Sequence, residues 1–182
     1  MTSTATRTIS TWMYNRRKKP VSIPEAPEEA YRAALKTAFH IVGFKDNTEA
    51  QLRDKLTERG YGAETVDDVV AYMVAKGYLN DERMLYRTAR LLAEGKGYGK
   101  IRIRQELQRK KFPSDRIAAL DWEGDELVDI DFAEICRRLI VKRGGLRDEK
   151  TYAFLRRYGH ATADIREAYR RLAKEVPSYK EQ

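Results

Sequence analysis

The chain has 182 residues, of which 42% are hydrophobic and 35% charged, enough apolar material for a core in one domain or a few small ones. No apolar run approaches the roughly 20 residues that span a bilayer, and the single cysteine, Cys136, leaves no partner for an intrachain disulfide. A formal net charge of +8 admits a polyanionic partner, and scarce Gly and Pro among abundant Ala, Leu, Glu, Lys and Arg point to an all-α fold.

Residues 1–27 are Ser/Thr-rich, then carry Arg16-Arg17-Lys18-Lys19 and end on Pro20, Pro24 and Pro27, which reads as a flexible basic arm. Within it Trp12, Met13 and Tyr14 could dock on the body. From Glu28 a helical pattern places Tyr31, Leu35, Ala38, Phe39 and Val42 on one face and ends at Gly43. Thr48-x-x-Gln51 is a capping-box pattern for the next helix, which carries Leu52 and Leu56 and stops at Gly60. A third helix from about Ala63 carries Val66, Val69, Val70 and Met73 as far as Gly77.

Asn80 or Asp81 can cap the fourth helix, in which Leu85, Ala89 and Leu92 follow at helical spacing. Gly95, Gly97 and Gly99 stop it, because glycine tolerates the left-handed and extended backbone of a helix end. The next helix starts near Lys100, with Ile103 and Leu107 on one face and Arg102 and Arg109 sharing another. The glycines meet neither the Gly-x-x-x-x-Gly-Lys-Ser/Thr nor the Gly-x-Gly-x-x-Gly spacing, so a phosphate loop is not read here.

The same grammar recurs along the chain. Leu56, Gly60, Tyr61 and Val66 share their offsets with Leu107, Lys111, Phe112 and Ile117, and again with Leu155, Gly159, His160 and Ile165. Each unit has an upstream first helix: Tyr31 to Val42, Leu85 to Leu92, and Phe132 to Ile140. Units of this size bury little surface alone, so the expectation is three tandem three-helix repeats stacked into an elongated, curved solenoid. The segments are a 1–27 arm, repeats over 28–77, 78–120 and 132–176, an acidic connector over 121–131 between the second and third, and a 177–182 tail.

Charge is unevenly placed. Residues 79–120 hold 11 basic against five acidic side chains and 132–182 hold 13 against seven, whereas the connector holds six acidic and no basic ones. The candidate partner- or DNA-binding side chains are therefore Lys96, Tyr98, Lys100, Arg102, Arg104, Arg109, Lys110 and Lys111 in the second repeat. In the third they are Arg137, Arg138, Lys142, Arg143, Arg156 and Arg157. The connector fails as a calcium loop, with Glu126 where Gly is needed and Phe132 where the closing Glu is needed, and reads as a solvated loop with Trp122 tucked against a helix. His160 replaces an aromatic residue of the other repeats and reads as packing, and Cys136 reads as a reduced core residue. No catalytic constellation, cofactor site or metal site can be assembled, so the residues describe a basic helical repeat protein with a large polyanionic or extended partner.

Gly77-Tyr-Leu-Asn-Asp-Glu-Arg83, Lys96-Gly-Tyr-Gly99 and Ile103-x-x-Glu106-Leu107, with Leu52-x-x-Lys55-Leu56-x-x-x-Gly60-Tyr61 upstream, resemble the RecX family of bacterial regulators of the RecA recombinase. The resemblance covers about residues 28–173 and departs at Lys111, where the family tends to have Gly, and in the arm. It implies a cytoplasmic, monomeric, non-enzymatic protein that binds RecA or the groove of the RecA filament on single-stranded DNA. It further implies inhibition of ATP hydrolysis and strand exchange, within recombination, DNA repair and the SOS response. The alternative is a sequence-tolerant DNA-binding helical repeat protein that acts on nucleic acid without RecA.

Overall fold

A computed structural model describes residues 23–145 and 147–175; the expectations for the arm's first 22 residues and for the C-terminal tail lie outside these. Among the described residues the fold is all helical: α1 Pro27–Phe44, α2 Glu49–Thr57, α3 Ala63–Ala75, α4 Asp81–Arg90, α5 Lys100–Arg109, α6 Ser114–Ala118, α7 Phe132–Lys142, α8 Glu149–Arg157 and α9 Thr162–Glu175. Helix α4 runs on into a π-helical turn, Leu91–Gly95.

The repeat is visible in backbone and burial alike. Leu56, Leu107 and Leu155 are fully buried, as are Val66, Ile117 and Ile165 to within a few per cent. Between them Gly60, Lys111 and Gly159 adopt the same left-handed conformation, with φ of 92°, 63° and 84°. The following amide returns to the leucine carbonyl in each repeat, from Tyr61, Phe112 and His160 at 3.2–3.3 Å. One left-handed residue thus closes each helix and aims the next.

Three cores follow. The first joins Ala34, Ala38 and Ile41 of α1 to Leu52, Leu56, Val66, Val69, Val70 and Met73. The buried stripe of α1 differs from the one expected: the two alanines let α3 approach closely, while Phe39 lies at the edge, its ring 4.9 Å from Tyr78. The second core joins Leu85, Ala89, Ile103, Leu107, Phe112 and Ile117 to Leu120, Leu127 and Ile130. Here the solvated-loop reading of the connector is corrected. Helix α6 has only five residues, and the connector's apolar side chains fill the space that thirteen-residue α3 covers in the first repeat. Trp122 does sit against α7, its ring 5.4 Å from Phe132. The third core gathers Cys136, Ile140, Leu155, Ile165, Ala168 and Leu172. Helix α7 is shared, since Phe132 and Ile135 face the second core while Cys136 and Ile140 face the third.

Caps set the helix starts. Thr48 Oγ1 accepts from the Gln51 amide (3.1 Å) and Gln51 Oε1 accepts from the Thr48 amide (3.2 Å), completing the capping box. Asn80, Asp131 and Asp148 cap α4, α7 and α8. Asp81 does something the local sequence does not show: its carboxylate accepts from the Glu49 amide at 3.0 Å, at the start of α2 in the preceding unit.

Candidate partner-binding surface

The stretch from Gly95 to Lys100 joins the second unit to the third. The Gly99 amide donates to the Tyr158 carbonyl (2.8 Å) and the Ile101 amide to the Gly159 carbonyl (3.2 Å), so the α8–α9 turn seats on the start of α5. A Cβ at Gly99 would lie 2.3 Å from the Gly159 oxygen, and one at Gly159 would lie 2.3 Å from the Arg102 nitrogen. Both glycines are required by close backbone approach. His160, fully buried, donates from Nε2 to the Gly97 carbonyl at 2.9 Å. Burial lowers its pKa, so the ring is neutral and ties two units together. Tyr98 is half-buried in the same seam, edge-on to Tyr158.

The other junction is polar. Gln51 Nε2 donates to the Lys110 carbonyl (2.8 Å), Arg87 pairs with Asp46 (3.1 Å), and Lys111 pairs with Asp54. Burial raises the pKa of Asp81 in this seam, with the Glu49 amide pulling the other way.

Against this frame of contacts the basic side chains divide into two groups. Arg102 and Arg109 do share a face, and what lies between them is the carboxylate of Glu106, which is buried: Arg102 reaches it at 2.9 Å and Arg109 takes its other oxygen. Arg137 is held by Glu134 and Glu175, and its guanidinium keeps the Glu134 carboxyl below the usual range. Lys100 lies over the rings of Trp122 and Phe132, Arg143 over Phe154 at 4.3 Å, and Arg156 donates to the His160 carbonyl at 2.9 Å. These cations already serve the fold. Lys96, Arg104, Lys110, Arg138, Lys142 and Arg157 carry no side-chain hydrogen bond or ion pair among the described residues, and all but half-buried Lys110 are exposed. Two of them, Lys96 and Lys110, come together with Lys45 around one cleft between the first two units.

A second groove, of about 550 Å³, runs between α8 and α9 with Arg147, Arg166, Tyr152 and Tyr169 in its walls. Sequence reasoning missed it because its residues lie on two helices with nothing but the fold to bring them together. Among the described residues no group of three or more His, Cys, Asp or Glu is placed to hold a metal ion, and no helix is long and apolar enough to cross a membrane. Burial pushes the Cys136 thiol up to about 12, which makes it a poor nucleophile.

Residues 34–73 match the family model described as RecX, first three-helix domain. A regulatory protein RecX from Deinococcus radiodurans is 33% identical over 164 residues, covering 85% of this chain and 75% of the relative. The chain belongs to the RecX family. A regulatory protein RecX from Salmonella newport is 30% identical over 170 residues, covering 84% of this chain and 99% of the relative. The RecX crystal structure from Lactobacillus salivarius shares the fold at a TM-score of 0.65 and 15% identity, over 79% of this chain and 97% of that one. Another crystal structure of a regulatory protein RecX has a TM-score of 0.62 at 18% identity, over 78% of this chain and 73% of that one. RecX membership supports a regulatory role built on a helical repeat fold. In the structure the resemblance motifs Lys96-Gly-Tyr-Gly99 and Glu106 are parts of a unit junction and of an ion-pair cluster around the buried Glu106 carboxylate.

Proposed function

We propose that this protein regulates a RecA recombinase in the cytoplasm: as a monomer it binds RecA assembled on single-stranded DNA, inhibits ATP hydrolysis and strand exchange, and performs no catalysis itself. The observation that carries the reading is a set of exposed cations with no side-chain hydrogen bond or ion pair among the described residues, Arg104 on α5, Arg138 and Lys142 on α7, and Arg157 at the end of α8, in a chain that aligns with RecX relatives over most of its length. Exposed cations outside the ion pairs of the fold are the ones whose charge remains for phosphate or for acidic side chains of a filament. A linear stack suits an extended partner, since it offers one long face.

The test is RecA ATP hydrolysis on single-stranded DNA, titrated with this protein at two salt concentrations. Arg104→Glu, Arg138→Glu and Arg157→Glu combined should weaken inhibition and, where all three contact phosphate, lower the salt slope by about 2. Reversing Arg32, Lys36 and Arg53 of the first unit should do much less. Arg102 and Arg109 are left alone, because reversing them would strand the buried Glu106 carboxylate and confuse lost binding with lost folding. No effect of the unaltered protein on hydrolysis, together with tight binding to duplex DNA, would replace this reading with direct action on nucleic acid.

A further inference from the structure

The cleft between the first two units has a construction that the regulatory reading does not by itself explain. It measures about 270 Å³ and is walled by Met84, Leu91 and Leu92, with Phe112 behind them, and rimmed by Lys45, Lys96 and Lys110. Leu91 opens the π-helical turn and is 60% exposed, whereas Ala93 two residues on is fully buried. The wider turn interrupts the regular helical stripe just where the cleft begins, and such turns are frequent at functional sites.

Three lysines surround this apolar floor, and among the described residues none of them has an ion pair. The one carboxylate in the lining, Asp46, is taken by Arg87 at 3.1 Å. The rim therefore presents uncompensated positive charge. The volume lies below the range of about 300 Å³ upward that small-molecule sites occupy, and suits an inserted side chain. An apolar centre within a charged rim is the anatomy of a protein-binding hot spot, where one buried anchor supplies affinity and the rim selects the partner.

We infer that this cleft docks an acidic peptide segment of a partner protein, with one aliphatic or aromatic side chain seated against Leu91 and Leu92 and flanking carboxylates on Lys45, Lys96 and Lys110. The inference deepens the regulatory reading, on which it rests, by naming the kind of segment that is bound. Nucleic acid is the less fitting occupant: the apolar lining is chiefly aliphatic, Phe112 is only 5% exposed, and no other ring among the described residues lines the cleft for a base to stack on.

The probes are short fluorescein-labelled peptides rich in Glu and Asp, one with a central Leu and a twin with Ala there, followed by anisotropy with the full chain and no recombinase present. The Leu peptide should bind, the Ala twin about tenfold more weakly. Lys96→Glu with Lys110→Glu should weaken the Leu peptide by at least about tenfold, while Arg138→Glu with Arg157→Glu should leave it unchanged. Lys96→Gln with Lys110→Gln, which removes charge without reversing it, should give an intermediate loss, and circular dichroism should report an unaltered helix content for every variant. The inference is overturned if neither peptide binds, if the twins bind equally, or if the lysine changes have no effect. It is also overturned if an oligothymidylate of equal charge binds more tightly through the same lysines. Because the recombinase is absent, such a failure leaves the ATP hydrolysis test standing. Failure of that test with peptide binding intact would mean that the cleft serves a different protein.

Discussion

Lys111 sits at φ 63°, the only non-glycine among the described residues with a positive φ, where the equivalent positions hold Gly60 and Gly159. An L side chain there costs roughly 1–2 kcal/mol, and the exposed pair with Asp54 returns about 0–1 kcal/mol. Two substitutions separate these terms. Lys111→Ala loses the pair and keeps the strain, whereas Lys111→Gly loses the pair and relieves the strain, so urea midpoints should place the Gly variant about 1 kcal/mol above the Ala variant. That order is the reverse of the one at any ordinary helix position. The neighbouring Glu106 shows the same dependence on tertiary placement, because its carboxylate lies in a buried position between Arg102 and Arg109 and cannot be recognised as buried from its own residue type.

At the scale of elements, the glycine-rich stretch between α4 and α5 serves two separate needs. Gly97, with φ 70°, makes the turn; Gly99, in extended backbone, lets the α8–α9 turn close on α5. A methyl at position 99 has nowhere to go, since its neighbours are backbone atoms of Gly159 and His160. Gly99→Ala should therefore cost about 1–3 kcal/mol, as overpacking does. Limited proteolysis should then cut first near the seam between the second and third units. A Gly95→Ala control, with open space at its Cβ, should leave the cleavage pattern unchanged and cost no stability.

Across the whole molecule the units form a line: hydrogen bonds and ion pairs among the described residues join the first unit to the second and the second to the third, and none joins the first to the third. The two seams differ in chemistry, which gives them different responses to solution conditions. His160 is buried and its folded pKa is depressed, so protonation favours the unfolded chain. Its contribution is present above the unfolded value near about 6.5 and is lost as the pH falls below it toward the folded pKa. Urea midpoints measured from about pH 7.5 down to about pH 5.5 should decline, and His160→Phe, which restores the residue type found at Phe112, should flatten that decline. An equal decline in the variant would show that His160 is not its source; Asp129 and Asp131, whose folded pKa values lie below the usual carboxylate range, lose their contribution only at lower pH, below about 4.

What the sequence determined by itself is what depends on neighbours along the chain. The Thr48–Gln51 capping box, the buried stripe of α3, the left-handed helix ends and the threefold register from Leu56 to Leu155 all follow from local spacing and from the conformational limits of single residues. Only the tertiary structure decided which charges are spent and which remain. Arg102 and Arg109 meet Glu106 at local helical spacing, but the burial of that carboxylate, which makes both arginines part of the fold while Arg104 on another face stays exposed, comes from packing. Asp81 caps a helix 32 residues away, and Lys45, Lys96 and Lys110 meet only because two units stack. Periodicity reports which face of a helix is apolar; it carries no information about which other helix arrives there, and the pairing of charges is settled by that arrival.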